Sequence, residues 1–346
     1  MDILNNAVIT YDCIKASVDV TEKELSDFSV ERGDLLFQRS SETLEDVGRA
    51  NVYMDDKTAV FGGFVIRGKK KGEYEPQFFN YLLRSPFARK RIIPMGAGAQ
   101  HFNIGQEGLN KVKLHFATIE EQEKIGKFLS LLDERIATQN KIIDKLQSLI
   151  KGISNMLLNP ETGTTVRLGD ILNERIERTK VNNQHEVLSS TVNGLFSQRK
   201  YFSKDIASEN NIGYKIIRLH DIVLSPQNLW MGNINYNDKF EVGIVSPSYK
   251  VFSITENYDK RYIAALLKTH RALYDYMLVS EQGASIVRRN LNFEAFEQLV
   301  FKIPSITTQR KIGSIISSLK SHLEIENMIK VTYQSQKQYL LRQMFI

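Results

Sequence analysis

The sequence predicts an α+β protein: two mixed α/β domains separated by two long antiparallel coiled-coil helices, related as a pseudo-twofold internal repeat. Three observations carry this expectation. A pentapeptide returns after 187 residues, a stretch of about 40 residues keeps heptad spacing, and the segments ahead of each pentapeptide break into short apolar runs bounded by turn residues.

The repeat is clearest at Gln122-Glu123-Lys124-Ile125-Gly126, which recurs as Gln309-Arg310-Lys311-Ile312-Gly313. Over 122–132 against 309–319, six of eleven positions are identical. Upstream, Gly96-Ala97 maps to Gly283-Ala284 and Gly33-Asp34-Leu35-Leu36-Phe37 to His220-Asp221-Ile222-Val223-Leu224. With a shift of 184, Leu82-Leu83-Arg84-Ser85 maps to Leu266-Leu267-Lys268-Thr269. Two copies of one long unit differ from a solenoid, in which many short repeats stack.

In chain order, Asp34–Phe37 and Phe64–Ile66 read as strands, and 76–91 as a helical stretch. A long helix over about 119–158 opens on the capping-box pattern Thr118-Ile119-Glu120-Glu121 and stops at Asn159-Pro160-Glu161-Thr162-Gly163. Its seam runs Ile125, Leu129, Leu132, Ile136, Gln139, Ile143, Leu146, Ile150, Ile153, Leu157, alternating steps of four and three. The second long helix, about 306–345, holds the seam through Ile312, Ile316, Leu319 and Leu323. Glu326 and Lys330 then break it, and the apolar face is expected to drift toward Ile325, Ile329 and Tyr333. The expected domains are 1–117, a helix over 118–159, a second domain over 160–304 and a helix over 305–346. Forty helical residues span about 60 Å, so an antiparallel pair would hold the domains apart like a ruler.

Composition narrows the function. Of 346 residues, 42% are hydrophobic and 25% charged, which excludes collagen-like and wholly disordered chains. Cys13 is the single cysteine, so no internal disulfide or cysteine-based zinc site forms, as suits a cytoplasmic protein. No run approaches 18 apolar residues, and neither a membrane span nor an export signal is expected. The net charge of +6 permits an anionic partner without requiring one.

Catalytic patterns are missing: no His-Glu-x-x-His, no Walker A loop, no Gly-x-Ser-x-Gly elbow. Asp34 with Asp55-Asp56-Lys57 loosely matches a metal-dependent nuclease layout, but the triplet sits where a hairpin tip is expected, and the turn is the favoured reading. Binding candidates are better. Arg39-Ser40-Ser41 follows a predicted strand and opens a polar loop ending near Arg49; its counterpart is Ser225-Pro226-Gln227-Asn228-Leu229-Trp230. Such side chains can read base edges, and Trp230 suits either a core or a base. The second loop carries Gly96-Ala97-Gly98-Ala99-Gln100-His101-Phe102-Asn103, and its twin Gly283–Asn290 carries Arg288, Arg289 and Asn290. Glycine lets backbone approach a ligand closely, and the polar residues reach phosphates or bases. Lys69-Lys70-Lys71 and Arg84, Arg89, Lys90, Arg91 are basic clusters, either solvated surface or phosphate contacts.

The chain resembles the specificity (S) subunit of type I restriction–modification enzymes. The residues that carry the likeness are Glu31-Arg32-Gly33-Asp34-Leu35-Leu36-Phe37-Gln38-Arg39-Ser40, the Gly-Ala…Asn loops, both helix entries, and Val166-Arg167-Leu168-Gly169-Asp170-Ile171, which is like the opening of a target recognition domain. The resemblance implies a non-catalytic reader of double-stranded DNA, with each recognition domain reading one half of a split site and the helices setting the spacer. It also implies docking of modification (methyltransferase) and motor-nuclease subunits. S-adenosylmethionine, ATP and magnesium would then sit on those partners, with no cofactor or metal on this chain. Under the 187 shift Met1 falls on Leu188, so the first copy has no equivalent of 165–187: either the first recognition domain is shortened or rearranged, or its start lies upstream. Two rival functions remain, a coiled-coil scaffold binding only proteins and a self-sufficient nuclease resting on the Asp55 triplet.

Overall fold

A computed structural model describes residues 2–201, 210–282 and 289–345. They fall into two units, 1–142 with 326–346, and 143–325, so the division passes through both long helices.

The second unit is organised by an antiparallel sheet in the order Ile234–Tyr236, Ile222–Leu224, Lys250–Ile254, Leu172–Glu174. A bend aims the chain into the second of these strands. Asp221 accepts the Arg218 N–H at 2.8 Å, closing a tight turn, and Arg175 grips the same carboxylate through two bonds of 2.9 and 3.1 Å. The strand Val300–Ile303 pairs with Thr164–Arg167. Leu168, Ile171, Phe252, Tyr262, Phe296 and Phe301 form the core, joined by Ile312 and Ile316 of the C-terminal helix.

The first unit repeats the plan with fewer parts. Its sheet runs Ala50–Val52, Leu35–Gln38, Val65–Gly68. Asp34, 4% exposed, accepts the Glu31 N–H at 2.9 Å in the same turn. Among the described residues nothing pairs with the outer edge of Val65–Gly68, where the second unit has Leu172–Glu174. The positions facing that gap, Lys69 and Lys70, are exposed, whereas their counterparts Ser253 and Ile254 are half-buried and buried.

The helical stretch expected over 76–91 is two helices, Pro76–Arg84 and Pro86–Ile92. Ser85 divides them: its hydroxyl donates to the Leu82 carbonyl at 2.6 Å and accepts from the Ala88 N–H at 3.3 Å, while Pro86 has no N–H to continue the first helix. Thr269 does the same between Lys260–Leu266 and His270–Leu278.

Each domain is fastened to its long helix by the residues of the repeated pentapeptide. Gln122 accepts the Glu75 N–H at 3.1 Å and donates to the Ala117 carbonyl at 2.8 Å. Gln309 accepts the Asp259 N–H at 3.1 Å and donates to the Pro304 carbonyl at 2.9 Å. Glu75 and Asp259 are the N-caps of the helices that lie against the clamp. One turn on, a Cβ at Gly126 would stand 2.6 Å from Glu75 Oε2, and one at Gly313 2.8 Å from the Tyr262 nitrogen, so only glycine permits this approach.

The long helices span Ile119–Leu157 and Ile306–Gln343. In the first unit they run antiparallel. Gln139 donates to the Glu326 carbonyl at 3.0 Å and to its carboxylate, and Lys337 pairs with Asp133, which also accepts from Tyr81 at 2.8 Å. Leu129 and Phe345 close this end with Phe78 and Leu82. Of the residues toward which the second seam is expected to drift, Ile329 and Tyr333 are half-buried and Ile325 is exposed. The original seam continues beside them: Glu326, Lys330, Tyr333, Lys337, Leu340 and Met344 keep the four-and-three spacing half-buried. Polar residues hold the seam because the facing helix offers them partners, Gln139 and Asp133.

Gly313→Ala is expected to destabilise the protein by about 1–3 kcal/mol through forced separation of helix and domain. Gln309→Ala should cost a similar amount, about 1–3 kcal/mol, by leaving the half-buried Asp259 N–H unpaired. Urea unfolding of each variant against the parent checks both, and an exposed control such as Ser314→Ala should shift stability by less than about 0.5 kcal/mol.

Candidate nucleic-acid interface

In the first unit the two polar loops are stitched together. Ser40–Ser41 pairs antiparallel with Phe102–Asn103, in the register Ser40↔Asn103 and Ser41↔Phe102. The Ser40 hydroxyl bonds the Asn103 carboxamide, and the Ile104 N–H reaches the Arg39 carbonyl at 2.9 Å. The turn that leads into Phe102–Asn103, closed by Ala97 pairing with Asn103, depends on Gly98, whose φ of +145° and closeness to the His101 carbonyl leave no room for a Cβ. Gln100 and His101 are exposed at its tip. Arg39 is exposed and donates weakly to the Gly63 carbonyl at 3.4 Å; Arg49 is exposed and paired with Asp46 at 2.7 Å.

The second unit joins the corresponding loops by other contacts. Ser280–Gln282 pairs with Arg289–Leu291, and the Arg289 N–H donates to the Gln227 carbonyl at 3.1 Å. The Arg289 guanidinium lies 5.0 Å from the centre of the Trp230 ring, a cation–π distance. Trp230 is half-buried, between the core and base-stacking roles its sequence position allows. Gln227 and Asn290 are exposed, and Asn228 is half-buried with its carbonyl bent onto Asn233 and Met231 N–H groups. The buried side-chain oxygen of Asn228 and Nε of Arg289 have no hydrogen-bond partner among the described residues. Arg288 lies outside the described residues.

The basic clusters separate by role. Arg84 donates to the Ala50 and Asn6 carbonyls at 3.2 and 3.0 Å. Arg89 donates to the Glu45 and Val47 carbonyls, each at 2.7 Å, and burial pushes its guanidinium down to about 10. Both arginines are struts of the loop that carries Arg49, a role invisible in a run of basic letters. Lys69–Lys71 are exposed. The nuclease-like triplet is a turn: Asp55 accepts the Tyr11 and Lys57 N–H groups at 3.0 and 3.1 Å, and these bonds hold its carboxyl below the usual range. Asp34 spends its carboxylate on Glu31. Among the described residues no cluster of three or more His, Cys, Asp or Glu is placed to hold a metal.

The seam residues named from the sequence lie along the helices as follows. Leu129, Leu132 and Ile143 are buried, and Ile125, Ile136, Leu146 and Ile150 half-buried; Ile312 and Ile316 are buried, and Leu319 and Leu323 half-buried. Among the described residues no helix is long and apolar enough to cross a membrane.

Comparison with known proteins follows the same outline. The family model described as "Type I restriction modification DNA specificity domain" matches residues 1–148 and again 160–332. A curated relative from Methanocaldococcus jannaschii, "Putative type I restriction enzyme MjaX specificity subunit", is 21% identical over 350 residues, covering 93% of this chain and 80% of its own. A crystal structure of the S subunit of a type I restriction–modification system from M. genitalium superposes with a TM-score of 0.55 at 15% identity, over 92% of this chain and 84% of the other. A structure from work on complex assembly and conformational transition of the type I system gives a TM-score of 0.51 at 13% identity, over 90% and 81%. These two share the fold.

The division of the arginines is open to measurement. Arg89→Ala leaves two loop carbonyls without their donor and should lower stability by about 1–3 kcal/mol. Arg49→Ala, on an exposed ion pair, should stay within about 0.5 kcal/mol. Equal costs in chemical denaturation would remove the distinction between strut and surface.

Proposed function

The chain belongs to the type I restriction–modification DNA specificity family, and we propose on that footing that it selects the DNA target of a multi-subunit methyltransferase and nuclease. The reading assigns the recognition domains to 1–117 and 160–304, each taking one half of a bipartite site, with the continuous long helices setting the spacer. The chain itself is the non-catalytic member. Modification subunits dock on it with S-adenosylmethionine, and motor-nuclease subunits join with ATP and magnesium, in the cytoplasm.

One observation supports this most. In both units the fold joins the same two polar loops, and it uses different bonds to do so: a two-stranded ladder with Ser40 and Asn103 in one, Arg289 on Trp230 and Gln227 in the other. A frame that repeats while its polar content varies suits two readers of different half-sites. Base edges in the major groove present distinct donor and acceptor patterns, which Arg, Gln, Asn and Ser can match. A scaffold binding only proteins gives no reason for pairing these loops twice.

Binding titrations of the assembled complex on its methylated target sequence, at several salt concentrations, test the reading. Affinity should fall steeply as salt rises, since each phosphate neutralised releases counterions. Arg39→Ala is expected to weaken binding by about 1–3 kcal/mol and to relax discrimination in one half-site only. Arg289→Ala should do so in the other half alone. A flat salt dependence would favour the scaffold.

A further inference from the structure

The second unit holds a cavity of about 330 Å³ between its recognition domain and the C-terminal helix. Four cations line it, Lys239, Arg261, Lys268 and Lys320, against two carboxylates, Asp238 and Glu324. Lys239 is already paired with Glu324 at 2.8 Å. Lys268 donates to the Asn235 carboxamide oxygen at 2.7 Å and has no carboxylate partner among the described residues. Burial, and then the charge of Lys320, push its ammonium down to about 8.

The first copy shows what belongs at this place. The helix Pro76–Arg84 matches Lys260–Leu266 and its continuation with a shift of 184, which sets Arg84 against Lys268; the long helices match with a shift of 187, which sets Asp133 against Lys320. In the first unit the Asp133 carboxylate therefore lies within electrostatic reach of Arg84, and its bonds are to Tyr81 and Lys337. In the second unit the carboxylate is replaced by a second ammonium. Two ammonium groups converge on the cavity, with Asp238 as a partial counter-charge to Lys320, where the fold's own precedent is a negative oxygen group.

We propose that this cavity binds a phosphate group between Lys268 and Lys320, occupying the place that the Asp133 carboxylate fills in the first copy. Arg261 and the hydroxyls of Ser317 and Ser321, which also line the cavity, complete a set of donors suited to a tetrahedral oxyanion. A phosphate group has two sources here, free in solution or carried on DNA. The site is separate from the paired loops and stands without the target-recognition reading.

The test is calorimetric titration of the full chain with inorganic phosphate, with chloride at equal ionic strength as the control, and the salt slope of DNA binding alongside. Phosphate is expected to bind, and at about a hundred times its Kd to raise Tm by about 5 °C. Lys320→Asp, which puts a carboxylate where the first copy has Asp133, should abolish phosphate binding without loss of stability; Lys320→Gln should weaken it at least about tenfold, by loss of one charge-assisted bond. If the phosphate is free, Lys320→Gln leaves the DNA salt slope unchanged; if it is carried on DNA, the slope falls by about one unit even where free phosphate binds too weakly to register. Phosphate binding that survives Lys320→Asp overturns the proposal, as does absent phosphate binding combined with an unchanged slope. A chain that binds phosphate but no DNA would overturn the recognition reading and leave this one intact.

Discussion

A side-chain amide that touches two backbone groups holds each recognition domain to its helix. Gln122 and Gln309 sit at the first turn of a long helix, where N–H groups lack intrahelical partners and polar side chains are freest to bond outward. Each spends its oxygen on the N–H that begins a domain helix and its nitrogen on the carbonyl just before its own helix. The joint then closes on a glycine, because the N-cap carboxylate and the helix backbone meet with no space for a side chain. The placement of the paired loops and of the phosphate cavity follows from this joint, since both belong to domains anchored through it.

Much of the fold was legible because its architecture is written twice. Gln-x-x-x-Gly recurs at both helix entries, and two occurrences at one spacing outweigh the weak specificity of either. Periodicity located the first seam for the same reason that it packs: a stripe of Ile and Leu every three or four residues must be covered. The second seam misled because hydrophobicity is only one way to satisfy a buried position. Glu326 and Lys330 look like breaks in the sequence, yet both are half-buried in the fold, Glu326 as the partner of Gln139. Partner choice across helices is a property of three dimensions, and a window along the chain does not contain it.

The loops show the same division. Their polar composition and glycines were readable, and so was their correspondence between copies. That each pair of loops comes together was not, because Ser40 and Asn103 are 63 residues apart and the contact is made by two-residue strands too short for any pattern. The sequence leaves Arg84 and Arg89 open to solvated surface or phosphate contact, because it reports that a guanidinium is present and says nothing of where it points. Backbone carbonyls of the 42–50 loop recruit them inward, and no letter of the sequence marks a carbonyl in need of a donor.

The edge of the first unit that nothing pairs among the described residues has a consequence for the protein at high concentration. A strand with free N–H and C=O groups is a template on which another chain can add, the first step of fibril growth and of domain exchange. Here the edge strand is four residues long and runs directly into Lys69-Lys70-Lys71, three exposed ammonium groups where the second copy has a covered strand. Two such edges approaching one another would bring six positive charges together. Colloidal repulsion thereby guards this sheet, and low ionic strength, which leaves those charges unscreened, is the storage condition that keeps copies apart.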